Sequence, residues 1–187
     1  MPFVKLPTWK DELGPAYAFG QGAAAPTMTV LTGSTHIRGL AFSAGDRMDV
    51  VVQFNHDVVQ PGPGGTITFS PHCHYTFVDN PTAGDAVRWK FTYLGAQPSL
   101  TGASAFGTTP TTISSSRHVL SSTEIAKHYL AELPAVPIAS TAYAASYILW
   151  GTFELSTLST IAGGKVALLA FDFHKQVYPH GTAGEYV

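Results

Sequence analysis

The sequence predicts an all-β chain, a jelly-roll-like antiparallel β-sandwich with an extended N-terminal arm, and three observations carry that prediction. Turn-forming residues punctuate the 187 positions, with 18 glycines and 13 prolines. Several stretches alternate apolar and polar residues with a period of two, the signature of a strand with one buried face. Extended helical patterning is hard to find.

The opening residues, 1–26, carry Pro2, Pro7, Gly14, Pro15, Gly20, Gly22 and a run of three alanines without strand-length alternation. They read as an arm, and residues 27–187 as the sandwich domain. Trp9, Tyr17 and Phe19 are too apolar for a free tail, so the arm is expected to dock on its own or a neighbouring subunit. Strands are expected at 28–31, 37–42 and 48–54, the last alternating Met48, Val50, Val52 and Phe54 with Asp49, Val51 and Gln53. After the Gln60–Gly65 turn, Ile67, Phe69, Cys73, Tyr75 and Phe77 fall on one strand face, while Ser70, His72, His74 and Thr76 fall on the other. Pro71 marks this strand as an edge or bulged one.

A turn at 79–84 leads to Val87, Trp89, Phe91 and Tyr93 facing in with Arg88, Lys90 and Thr92 facing out, which predicts a hairpin with the preceding strand. Residues 95–116 are rich in Thr, Ser and Gly and read as a long surface excursion. Residues 125–133 are ambiguous between helix and strand. Residues 145–155 and 166–173 are apolar on both parities, as in core strands of a sandwich or strands at a subunit interface. Eight or so strands without an internal repeat fit a jelly roll.

Charged residues make up only 12% of the chain against 45% hydrophobic ones, about half the ~25% charge of an ordinary soluble domain. Such a chain is expected to hide much of its surface against other copies of itself, as an obligate oligomer. Ten Lys and Arg against twelve Asp and Glu leave no basic footprint for nucleic acid. No window is long and apolar enough for a membrane helix, and no secretory signal is expected. The single cysteine, Cys73, excludes an intrachain disulfide and a CxxC zinc site.

Eight histidines are the one compositional excess, and two of them form His72-Cys73-His74. On a strand, residues two apart point to the same side about 6.6 Å apart, within reach of one metal ion or one anion. A third ligand must come from elsewhere, and His56 and His174 are candidates, the latter sharing a strand face with Asp172. The expected role of these histidines is hydrogen bonding at a polar face or subunit contact, with no cofactor. A metal held by His72, His74 and His174 is the alternative. Cys73 lies on the apolar parity and reads as a small buried hydrophobe. No G-x-S-x-G elbow, defensible carboxylate pair or phosphate loop occurs, so the chain is not expected to be an enzyme.

The segments Gln53-Phe54-Asn55-His56-Asp57, Ser70-Pro71-His72-Cys73-His74-Tyr75, Trp89-Lys90-Phe91-Thr92-Tyr93 and Ala167 through His174 occur in that order. The chain thereby resembles a family of tailed-bacteriophage virion proteins with the motifs Q-x-x-H-D, P-H-x-H-[WY], W-x-x-x-Y and L-L-x-x-D-[FI]-H. It departs from the family where an Arg-Asp pair and an Asp-Thr-Tyr stretch are usual, having Phe153-Glu154-Leu155 and Ile161-Ala162-Gly163-Gly164 instead.

The resemblance implies a non-enzymatic structural protein of a phage particle, made in the host cytoplasm and located in the virion. The component expected is a capsid decoration or cement protein on the head, bound to the major capsid protein or another virion protein. By analogy with jelly-roll virion proteins it is a homotrimer. A tail or fibre-head module that binds a host receptor through the 95–116 loops is the alternative. A small sugar-binding or metal-dependent cupin-like enzyme rests on H-x-H and the β-rich pattern by fold analogy alone. Trp9, Tyr17, Phe19, His56, His72, His74 and His174 are the candidate interface residues.

Overall fold

The computed structural model describes residues 8–13, 16–17, 25–31, 38–54, 66–78, 81–96, 106–121, 127–139, 147–162 and 164–177, with backbone alone for 8–13, 16–17, 66–67, 138–139 and 176–177. Every regular element among them is a strand. In chain order these are β1 (Thr8–Leu13), β2 (Ala16–Tyr17), β3 (Thr27–Val30), β4 (Arg38–Phe42), β5 (Arg47–Gln53), β6 (Thr66–Phe77) and β7 (Ala86–Val87). They continue as β8 (Trp89–Ala96), β9 (Thr111–Ser114), β10 (His118–Val119), β11 (Tyr129–Glu132), β12 (Val136–Ala139), β13 (Ile148–Leu155) and β14 (Val166–Val177).

All pairings are antiparallel. One sheet runs β11-β6-β14-β4-β3, with β1 also on β14 and β12 also on β6. The other runs β2-β5-β13-β8-β9, and β7 pairs with β10 in a short separate ladder. The sheets pack through aromatic rings. Phe91 of β8 and Phe153 of β13 meet Phe171 of β14 at 5.2 and 4.3 Å between centroids. Trp89 meets Phe42 and Tyr75 at 5.3 and 5.8 Å, and Phe54 stacks on Phe69. All of these side chains are buried. The alternation in β5, β6 and β8 therefore fills one core between two sheets, the architecture of a β-sandwich.

Local chemistry sets the joints. The β4–β5 turn crosses from one sheet to the other through Gly45 at φ +91°, a left-handed conformation that glycine tolerates. Asp46 closes this turn by accepting the Ser43 N–H at 2.7 Å. Gly151 sits in the middle of β13 between β5 and β8, where a Cβ would collide with the Thr92 carbonyl oxygen and the Tyr93 backbone.

Several expectations are corrected by the pairing. The strand containing Pro71 is neither an edge nor itself bulged, because β6 has β14 on one side and β11 and β12 on the other. Pro71 falls where β12 gives way to β11, and its carbonyl accepts the Leu133 N–H at 3.0 Å. Its missing N–H thus costs no ladder bond. The predicted hairpin between β6 and β8 does not form, since the two belong to different sheets and the link between them is an inter-sheet crossing. Part of the expected excursion at 95–116 is regular, because β9 pairs with β8. The ambiguous 125–133 stretch contributes β11.

Within the first 26 residues, where no alternation marks a strand, β1 pairs with β14 over Thr8↔Val177 to Leu13↔Asp172, and β2 pairs with β5. Main-chain hydrogen bonding needs no side-chain pattern. The two strands expected to be apolar on both faces, β13 and β14, are buried on the inner face, while Trp150 and Leu169 project outward at 56% and 46% exposure.

Candidate functional site

The histidine cluster lies on the outer face of the larger sheet and is set there by one irregularity. Along β14, Leu168 pairs with Tyr75 but Ala170 pairs with His74, leaving Leu169 as an extra residue. Such a bulge switches the parity of everything after it. Val166 and Leu168 face the core before the bulge, and Phe171 and Phe173 face it afterwards. Asp172 and His174 consequently turn outward, opposite His72 and Ser70 of β6. On the other flank β11 sets Glu132 opposite His72 and Leu130 opposite His74.

The resulting geometry is close. His72 Nε2 lies 2.7 Å from Asp172 Oδ1, and His74 Nε2 lies 4.0 Å from Asp172 Oδ2. His74 Nδ1 is 2.6 Å from His128 Nε2. The His72 ring has its centroid 5.1 Å from that of His74 and 4.2 Å from that of His174. His72 and Asp172 are buried although they face away from the core, whereas His74 is partly open and His128 and His174 are exposed.

Burial holds the His72 imidazole below the ordinary histidine range. The Asp172 carboxylate pulls the other way, and His174 and His74 add to the lowering. His72 is thereby kept neutral near pH 7, the form in which a ring nitrogen can act as a ligand or a hydrogen-bond acceptor. His72, His74 and Asp172 each offer a donor atom, all within 4.8 Å of one another, and this trio could hold a metal ion.

Of the residues singled out from sequence, His72, His74 and His174 come together here. His56 and Phe19 lie outside the described residues. Trp9 and Tyr17 stand in β1 and β2, opposite Gln176 and Asp49 in the ladders. Cys73 is fully buried on the inner face, where burial pushes its thiol well above the usual cysteine range. It is therefore no nucleophile for the neighbouring imidazoles.

Sequence reasoning missed His128, which falls in the stretch it left ambiguous, and did not count Asp172 as a ligand. The signal for Asp172 was the 166–173 run itself, whose apolar residues occupy both parities because the strand changes parity within it. A second feature, a cleft of about 380 Å³, opens between 115–118 and 130–132. On its wall His118 Nδ1 is 2.6 Å from the buried Tyr75 hydroxyl. No protein-family model matches the chain, and no curated protein matches it as a relative.

Proposed function

We propose that this chain is a non-enzymatic structural protein of a bacteriophage particle, a decoration protein of the head that works as a homo-oligomer. The observation that carries the reading is the outer face of the smaller sheet. Val51, Trp150 and Leu94 stand side by side across β5, β13 and β8, and Phe106 meets Trp150 edge-on at 5.9 Å. Trp150 is more than half exposed. An apolar row of this kind, in a chain with so few charges, is the chemistry of a surface covered by another subunit.

The occupant proposed is a second copy of this chain, and the trimer count rests on analogy with jelly-roll virion proteins. The resemblance to tailed-phage virion proteins makes the capsid the larger partner.

Sedimentation of wild type and Trp150→Glu tests the interface. Wild type is expected to sediment as a trimer at micromolar concentration and the variant as a folded monomer, because a carboxylate buried in an apolar contact has no partner. A monodisperse wild-type monomer overturns the oligomer. Stepwise dissociation of virions with mild denaturant tests the location: release with head proteins is expected, and release with the tail would favour the receptor-binding alternative.

A further inference from the structure

We propose that His72, His74 and Asp172 form a binding site for one divalent transition-metal ion of the zinc class, joining β6 to β14 on the outer face of the larger sheet. Two imidazoles and a carboxylate are a donor set that zinc, cobalt and nickel accept. Such ions sit about 2.0–2.2 Å from each donor. Donors within 4.8 Å of one another are near enough for side-chain rotation to bring them around a common centre. The backbone part of the site is fixed, since His72 and His74 are two apart on a central strand and Asp172 is the direct ladder partner of His72.

A second observation points the same way. Ligating histidines ordinarily donate their other ring N–H to an acceptor, which sets the tautomer and aims the free lone pair at the metal. His74 Nδ1 is 2.6 Å from His128 Nε2, while His74 Nε2 faces Asp172. With His128 as acceptor of the Nδ1 proton, Nε2 of His74 is the unprotonated donor, so His128 is a positioning residue outside the ligand shell. His72 has its Nε2 at the carboxylate, and its Nδ1 is buried without a well-formed hydrogen bond. The bulge at Leu169 is what brings the carboxylate to this face, because with Leu169 paired in the ladder opposite His74 the Asp172 side chain would take the core-facing parity. His174 stands beside the trio, and the fourth coordination position is left to solvent on the side where His74 is open.

The test uses the full-length protein stripped with chelator and then titrated calorimetrically with Zn²⁺, with Co²⁺ absorbance as a report on the ligand field. One Zn²⁺ per chain is expected, together with visible Co²⁺ bands that Zn²⁺ displaces. His74→Gln and Asp172→Asn should each weaken Zn²⁺ binding at least about tenfold, and His128→Ala about tenfold, with His128→Gln restoring much of the loss by supplying an acceptor. If Asp172→Asn fails to fold, His74→Gln decides, since His74 is partly open to solvent. Absence of a one-to-one signal in wild type overturns the site, as does Zn²⁺ binding that both ligand variants leave unchanged. Neither result bears on whether the chain oligomerises through Trp150.

Discussion

The two sheets share one core but present opposite outer faces. On the smaller sheet the outward positions of the three central strands form an apolar row, Val51, Trp150 and Leu94, bordered by the Lys90–Glu154 ion pair at 2.7 Å. On the larger sheet the corresponding central positions are His72, His74 and Asp172. Both sheets turn aromatic and aliphatic residues inward, so the core does not explain the difference. On the two readings proposed above, the sandwich divides its labour by parity: even-numbered positions of β13 are covered by protein, and those of β6 hold an ion. β14 also changes parity at a single extra residue, Leu169, whereas β13 is regular along its length.

Exchanging an inward and an outward residue of β14 breaks the comparison most severely. Phe171→Asp/Asp172→Phe would bury a carboxylate in the core and turn a ring outward, a cost comparable with the whole stability of an ordinary domain, about 5–15 kcal/mol. That variant should be insoluble or lack a cooperative urea transition. Deleting Leu169 should be far milder, because Leu168 already pairs with Tyr75 and Ala170 with His74, so closing the bulge leaves Phe171 and Phe173 inward and Asp172 opposite His72. Leu169→Ser, at an exposed position, should stay within about 1 kcal/mol of wild type. A deletion variant that fails to fold while the exchange variant keeps a native-like transition would sink the parity argument.

Neighbouring positions on β13 sharpen the contrast between inner and outer faces. Phe153 is fully buried, stacked on Trp89 at 4.9 Å and on Phe171 at 4.3 Å. Phe153→Ala should lower the unfolding free energy by about 3–5 kcal/mol. Trp150→Ala, three residues away but outward, should cost the isolated chain at most about 1 kcal/mol. Equal losses in urea titrations of the two variants would mean that the outer face is part of the folding core.

Much of the sandwich was legible because its strands alternate. Met48, Val50 and Val52 announce β5, and Phe69, Cys73, Tyr75 and Phe77 announce β6, since a half-buried strand writes its environment with a period of two. Partnership was not legible. The alternating stretches of β6 and β8 look like a hairpin, and only the pairing and the packing of Trp89 against Phe42 and Tyr75 show that the chain crosses between layers. Pro71 looked like an edge marker because sequence does not show that the neighbouring strand is interrupted opposite it. Of the site, the H-x-H pair was visible as a spacing. Asp172 was hidden by the bulge that brings it there, and His128 by the absence of a pattern around β11.

The smallest effect expected distinguishes the two faces at high pH. Tyr93 of β8 packs against the core, and Tyr147, just before β13, lies over Gly95, where no side chain stands in its way. Burial raises the Tyr93 phenol above its usual range, with neighbouring Tyr147 adding to the effect and a hydrogen bond with Thr111 opposing it. Burial raises Tyr147 as well. In the unfolded chain these phenols lose their protons near the reference of about 10, while in the folded chain they keep them to higher pH. Above that reference the unfolded state therefore binds fewer protons than the folded one, and stability declines as pH rises. Below it these two groups contribute no slope. Phenolate absorbance should show Tyr93 and Tyr147 within a component that titrates late in the folded protein, and the urea midpoint should fall between about pH 10 and 11. Tyr93→Phe/Tyr147→Phe should lower the late component by two phenols and remove part of that decline, leaving the histidine face and its Zn²⁺ binding untouched. A late component that the double substitution leaves undiminished would assign it to other tyrosines and remove this end of the smaller sheet as its source.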